Sequence, residues 1–185
     1  KGTLATAGLV TSFHIPAFET QSHKVRMGVI GTGWYGMVVA KAALQTGDAE
    51  IVAICDVDTE HLKNSANELN SLQGSRPKEF ADYHEMLDMK GLDAVVIGTP
   101  PHWHALQFVA ACKKGLHIYC EKPLSYDVEE GKAMVKAAKA AGNIVQIGFQ
   151  RRQSAAFQKA RQMVEDGTMG KIYQIGAQIH HVPGH

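Results

Sequence analysis

The sequence predicts an α/β fold built on a doubly wound parallel sheet, and three observations predict it. First, short apolar runs at Val25–Ile30, Ile51–Cys55, Ala94–Ile97, His117–Cys120 and Ile144–Phe149 alternate with helix-length stretches. Second, the run Ala94–Ile97 is apolar at every position, as a strand covered on both faces requires. Third, the first run passes into Gly31-Thr-Gly33-Trp-Tyr-Gly36 and then a helical segment, while the second run ends in Asp56. Strand, glycine turn, helix, strand and terminal acid form one β-α-β unit of Rossmann type. In that context each glycine has a task. Gly31 permits the sharp turn off the strand, Gly33 lets backbone approach a pyrophosphate, and Gly36 lets helix and strand pack closely. The helix aims its free N–H groups at the phosphates. Asp56, about twenty residues past Gly36, stands where a ribose 2′-OH acceptor belongs.

The remaining elements follow in order. The first helix, over Trp34–Thr46, offers Trp34/Val38/Ala42 and Tyr35/Val39/Ala43 as apolar pairs at i, i+4 spacing, and Gly47 closes it. A polar helix is expected over Thr59–Leu72, then a surface loop through Gly74-Ser-Arg-Pro77, then a short helix capped by Asp82. After Ala94–Ile97 the prolines of Thr99-Pro100-Pro101 forbid further sheet pairing. The helix that follows turns Leu106, Val109 and Ala110 inward and ends at Gly115. Asp127 caps a helix reaching Ala141 with the stripe Val128, Gly131, Val135, Ala138. Beyond Gln150-Arg151-Arg152 a helix over Ser154–Asp166 is expected, and Lys171–Val182 alternates like a strand with one exposed face. That strand has no partner earlier in the chain, so 151–185 read as a linker helix and the start of a second domain, with 24–150 as the first.

Residues 1–23 stand apart. Lys1-Gly-Thr-Leu-Ala-Thr-Ala-Gly-Leu-Val-Thr-Ser-Phe resembles the mildly apolar core of a twin-arginine export signal, with Lys1 closing its basic motif. A plain leader or short packing arm fits the same residues, so a periplasmic and a cytoplasmic location both stay open. The stretch is too short and too rich in small residues for a membrane span. Net charge is +1 with dispersed basic residues, which gives no electrostatic footprint for nucleic acid. Three cysteines cannot close a disulfide framework; Cys55 and Cys120 end predicted strands, where a free thiol behaves as a small buried hydrophobe.

Ligands of an open parallel sheet bind outside the carboxyl ends of its strands. The residues there are the glycine turn with Trp34 and Tyr35, Asp56, then Thr99, Pro100, His102 and His104, then Glu121-Lys122-Pro123, then Gln150-Arg151-Arg152. All fall on one rim. Lys122, between a carboxylate and a proline at the mouth of a cofactor cleft, can donate to a substrate oxygen. A surface ion pair with Glu121 is the plainer use of the same residues. His180, His181 and His185 lack an accompanying carboxylate or thiol, and neighbours in a strand point to opposite faces, so no metal is expected.

Taken together, Gly31-x-Gly33-x-x-Gly36, Thr99-Pro100-Pro101-His102-Trp103-His104 and Cys120-Glu121-Lys122-Pro123-Leu124 resemble the glucose–fructose oxidoreductase / inositol dehydrogenase (Gfo/Idh/MocA) family over Lys24 to His180. The resemblance implies an N-terminal NAD(P)-binding domain. It also implies a second α/β domain whose open antiparallel sheet builds the substrate pocket and joins subunits into a homo-oligomer. It assigns Lys122 as the catalytic lysine, Glu121 to the ribose, Thr99, Pro100 and His104 to the cofactor wall, and Gln150 and Arg151 to the nicotinamide and substrate. The family's further catalytic aspartate and histidine would fall past His185. NAD is expected rather than NADP, because Asp56 repels a 2′-phosphate and Val57 supplies no basic replacement.

The function that follows is hydride transfer between a sugar or cyclic polyol and NAD. An NAD-dependent glycosidase that oxidises its sugar transiently is the alternative enzyme, and a non-catalytic NAD-binding protein the alternative outside catalysis.

Overall fold

The computed structural model describes residues 24–176 and 178. The stretch read as a leader, and the end of the expected strand 171–182 with its histidines, lie outside the described residues. Six parallel strands stand in the order β3-β2-β1-β4-β5-β6. They are β1 (Val25–Ile30), β2 (Ala49–Cys55), β3 (Lys78–Phe80), β4 (Ala94–Ile97), β5 (His117–Glu121) and β6 (Val145–Gly148). The helices are α1 (Trp34–Gln45), α2 (Thr59–Gln73), α3 (Tyr83–Leu87), α4 (Pro101–Lys113), α5 (Val128–Ala141) and α6 (Ala155–Glu165), with a 3₁₀ turn over Gln150–Gln153.

Side chains alternate across the sheet and create two cores. Val29, Ile51, Ile54 and Val96 pack under α1 and α2 with Met37, Ala40, Leu62 and Leu69. Ile30, Ala53, Cys55, Val95 and Ile97 pack on the other face with Met86, Phe108, Ala111 and Met134. Helix ends follow the expected chemistry. Asp82 accepts from the His84 amide at 2.8 Å and Asp127 from the Glu130 amide at 2.8 Å. Asp58 accepts from Glu60 and His61 at 2.9 and 3.0 Å, which holds its carboxyl below the usual range.

Three expectations need correction, and one element is additional to them. β3, which directly follows the loop expected at Gly74–Pro77, has no counterpart among the expected elements: it has three residues, two of them charged, and exists because it pairs with Ala53–Cys55 at the sheet edge. Helix α1 does not bury Trp34/Val38/Ala42; Gly36, Met37 and Ala40 face inward instead, because Gly36 must sit against the turn after β1. On α4 the buried side is His104, Ala105, Gln107, Phe108 and Ala111, with Leu106 exposed; on α5 it is Met134, with Val128 and Val135 exposed. Lastly, Lys171–Gly176 is irregular, since no strand of the sheet is placed to give its backbone a ladder.

The crossing of β1, α1 and β4 is the tightest point. Gly31 has φ +85°, and a Cβ on it would lie 2.9 Å from the Gly98 carbonyl carbon and the Thr99 amide nitrogen. A Cβ on Gly36 would overlap the Gly31 carbonyl oxygen, and one on Gly98 would come within 2.9 Å of Gly36 Cα. Gly36→Ala is therefore expected to destabilise the domain by about 1–3 kcal/mol through overpacking. Helix propensity alone predicts a gain of about 1 kcal/mol for the same change. Urea denaturation gives the sign, and a stabilised variant would contradict the packing described here.

Candidate dinucleotide and substrate site

Strand order reverses between β1 and β4, and this switch point is where an open α/β sheet leaves a crevice beyond its strand ends. The glycine turn forms one wall and the Gly98–Pro101 loop the other. Nothing lies within 4 Å of a Cβ built on Gly33, so backbone there faces open space. No side chain caps α1, which leaves the N–H groups of its first turn available to an anion. These features fit a pyrophosphate. Trp34 is 83% exposed beside the turn and meets Tyr35 edge-on, with ring centroids 5.5 Å apart.

Asp56 lies past the end of β2 and is fastened to the turn. Its Oδ2 accepts from the Thr32 amide at 2.7 Å and the Thr32 hydroxyl at 3.1 Å; its Oδ1 accepts from the Asp58 amide at 3.0 Å. Buried Ser65 of α2 donates to the Thr32 carbonyl at 3.1 Å from behind. With two bonds already on Oδ2 and one on Oδ1, it is Oδ1 that retains lone-pair capacity for a ribose hydroxyl.

On the opposite wall, Thr99 donates to Oε1 of buried Gln107 at 2.6 Å. His104 lies inside the domain, 0% exposed. Its Nε2 is 2.9 Å from the Thr99 carbonyl oxygen and its Nδ1 is 2.8 Å from that of Pro123. Both ring nitrogens are thus turned to backbone rather than to a ligand. Pro100 and His102 are exposed on the outer side of the loop.

Glu121 closes β5. It is 5% exposed, accepting from the Tyr119 hydroxyl at 3.1 Å and the Lys122 amide at 3.2 Å. Space for its carboxylate exists because its sheet neighbour is Gly148; a Cβ there would strike Glu121 Oε1. The Glu121–Lys122 side-chain ion pair does not form. The lysine side chain instead lines a cavity of about 410 Å³ with Pro123, Phe149, Gln150, Arg151 and Arg152. The Lys122–Pro123 peptide is cis. Arg152 sits over the Phe149 ring, 5.0 Å from its centroid. A larger cavity of about 540 Å³ lies between α4 and α5, lined by Val109, Cys112, Lys113, Lys136 and four alanines.

The structure places the clusters named from the sequence just past the carboxyl ends of β1, β2, β4, β5 and β6, and adds supports that sequence reasoning missed: Thr32, Ser65, Gln107, Tyr119 and Gly148. Apart from the glycine, each is a polar residue at an otherwise apolar position. The thiols take no part. Burial first, then nearby carboxylates, push Cys55 and Cys120 up to about 12. Among the described residues no group of three or more His, Cys, Asp or Glu comes together as a metal site, and no helix is long and apolar enough to cross a membrane.

Fold and rim together define a dinucleotide-binding α/β domain. The description "Oxidoreductase family, NAD-binding Rossmann fold" (GFO_IDH_MocA) matches residues 25–149, and the chain belongs to that family of NAD-binding oxidoreductases. It is 33% identical to myo-inositol 2-dehydrogenase of Thermotoga maritima, over 80% of this chain and 42% of that protein. It is 28% identical to a glycosyl hydrolase family 109 protein of Stenotrophomonas maltophilia, over 96% of this chain and 41% of that one. Among solved structures, the WlbA dehydrogenase from Bordetella pertussis, in complex with NADH and UDP-GlcNAcA, superposes with a TM-score of 0.74. It shares 33% identity, over 82% of this chain and 45% of that one. The chain spans about two-fifths of the length of these curated relatives.

Tyr119 gives the site a measurable titration. Burial first, then the Glu121 carboxylate it bonds, push its phenol from 10 up to about 12. The folded state then holds the proton more tightly than the unfolded chain. The stability this contributes is intact below about pH 10 and is lost as pH rises toward about 12. Urea denaturation in steps across that window should show a shallower loss for Tyr119→Phe than for the unaltered protein. Parallel curves would contradict the assignment.

Proposed function

We propose that the protein containing this chain oxidises or reduces a sugar or cyclic polyol, moving hydride between one of its carbons and NAD. The observation that carries the reading is the shared cavity of Lys122, Gln150 and Arg151 past the carboxyl ends of β5 and β6, in a chain of this family. Bound NAD supplies the hydride acceptor or donor. The glycine turn and the first turn of α1 hold its pyrophosphate, and Asp56 accepts from a ribose hydroxyl. Glu121, Thr99, Pro100 and the first turn of α4 bearing His102 and His104 border the nicotinamide half, with Trp34 and Tyr35 beside the phosphates. Lys122 donates a hydrogen bond to the reacting substrate oxygen and stabilises charge developing there. Arg151 orients the substrate.

Residues 151–185 are, in this reading, the linker and opening of a second domain that completes the pocket and joins subunits of a homo-oligomer. The exposed Phe157 and Val164 of α6 support this, being apolar side chains in a helix with no buried face among the described residues. A hydrolase that oxidises its sugar transiently is the second reading, supported by the match to the glycosyl hydrolase family 109 protein along nearly the whole chain. Net NADH accumulation with a polyol supports the dehydrogenase; aglycone release without net NADH supports the hydrolase.

Lys122→Met in the full-length protein should lower kcat roughly 10²–10⁴-fold, the range for lost proton-transfer assistance, and leave NAD affinity nearly unchanged. Steady-state kinetics with the best polyol found and an NAD titration by tryptophan fluorescence check both halves. A kcat within a few-fold of the unaltered enzyme removes Lys122 from the chemistry. On the cofactor side, NAD should bind more tightly than NADP, and the pair Asp56→Ser with Val57→Arg should reverse the order. Absolute affinity for both should also fall, since the variant gives up the Asp56–Thr32 bonds. Tighter NADP binding by the unaltered protein would overturn the preference.

A further inference from the structure

Ser65 is the polar member of an otherwise apolar face. It lies on α2 with buried Leu62, Ala66 and Leu69, and is itself 5% exposed. Its hydroxyl donates to the Thr32 carbonyl at 3.1 Å, 33 residues back in the sequence. That carbonyl belongs to the peptide joining Thr32 to Gly33, which is trans. A trans peptide is planar, with its C=O and N–H pointing in opposite directions. With the oxygen drawn to α2, the Gly33 N–H is directed away from α2, and Gly33 borders open space, with nothing within 4 Å of a Cβ built on it. Gly33 does not set that direction by itself. Its φ is −65°, but glycine takes positive φ about as readily. A flip of this peptide would present a carbonyl oxygen to the phosphates in place of an N–H.

We propose that Ser65 is a positioning residue for the cofactor: by holding the Thr32 carbonyl it locks the Thr32–Gly33 peptide with its N–H facing the crevice, where it donates to the pyrophosphate. The bonds from the Thr32 amide and hydroxyl to Asp56 do not supply this lock, because that amide belongs to the preceding peptide and the hydroxyl to the side chain. A helix placed after β2 thus sets the aim of a turn placed before α1. The inference rests on the NAD site proposed above and adds to it a residue that acts through the turn rather than on the ligand.

Two measurements on the full-length protein test this. In the first, NAD and ADP-ribose are titrated by calorimetry into the unaltered protein and into Ser65→Ala. Both ligands carry the pyrophosphate and only NAD carries nicotinamide. Both should therefore bind the variant more weakly by the same factor, about tenfold, as for the loss of a hydrogen bond to a charged group. The KM for NAD should rise while kcat stays within about twofold, the pattern of lost ground-state binding. A folded variant with unchanged affinity for ADP-ribose would overturn the proposal, since a bond that serves stability alone lowers the unfolding midpoint and leaves affinity as it was. A loss confined to NAD would overturn it too.

The second measurement does not require Ser65→Ala to fold. Labelling Thr carbonyls with ¹³C and Gly nitrogens with ¹⁵N selects Thr–Gly peptides; this sequence has Thr32–Gly33 and, at the far end of α1, Thr46–Gly47. Thr32→Ser, which keeps the hydroxyl, removes the first signal and so assigns it. ADP-ribose should move the Gly33 amide proton of the unaltered protein downfield, as donation to a phosphate does, and leave Thr46–Gly47 in place. An unmoved Gly33 signal in protein that binds ADP-ribose would refute the proposal. If the unaltered protein binds neither nucleotide, the reading of the crevice fails and this inference falls with it.

Discussion

The close backbone approach at the switch point is the constraint on which the rest of the structure depends. Gly31, Gly36 and Gly98 come from β1's turn, α1 and β4's end, and no pair of them leaves room for a β-carbon. That contact fixes how α1 lies on the sheet, and so which of its residues are buried. It also sets the width of the crevice and points the open N-terminus of α1 into it. A helix held a few tenths of an ångström further out would bury a different stripe and lose its aim at the phosphates. Packing and ligand geometry are here the same fact.

A second layer of polar struts holds the rim loops once the glycines have brought them together. Loops at strand ends have few apolar contacts of their own, so their backbone groups must be satisfied by side chains reaching from the helices and strands beneath. Ser65 and Asp56 hold Thr32, Gln107 and His104 hold Thr99, and Tyr119 holds Glu121. Each strut comes from an element packed in one of the two cores, which transfers the rigidity of the core to the site. Lys122 is the contrast: its side chain is exposed and lines a cavity with Gln150 and Arg151.

The chain spans about two-fifths of the length of the curated relatives it matches, and the division of labour along the chain makes physical sense of that. The match to the NAD-binding family description, residues 25–149, covers the elements from β1 to β6. Past Gln150 the described residues stop burying side chains: α6 is exposed apart from half-buried Met163, with apolar Phe157 and Val164 on its surface.

The sequence by itself determined the parallel sheet, its turn glycines, the caps Asp82 and Asp127, and the rim positions from Gly31 to Arg151, because each rests on local chemistry. An apolar run of four must be covered on both faces, a proline pair must end a strand, and an aspartate before a helix bonds its free amides. Only the tertiary structure decided the rest. It decided that Trp34 and Leu106 face solvent while Gly36 and Gln107 do not, since a helix with apolar residues on several sides is oriented by its tightest contact rather than by its richest stripe. It made Lys78–Phe80 a strand through an edge to pair with, and left Lys171–Gly176 irregular where no edge was offered. It turned His104 from a residue of the cofactor wall into one that holds the wall, because the two carbonyls it bridges are 24 residues apart in sequence (Thr99 and Pro123) and meet only when β4 and β5 lie side by side.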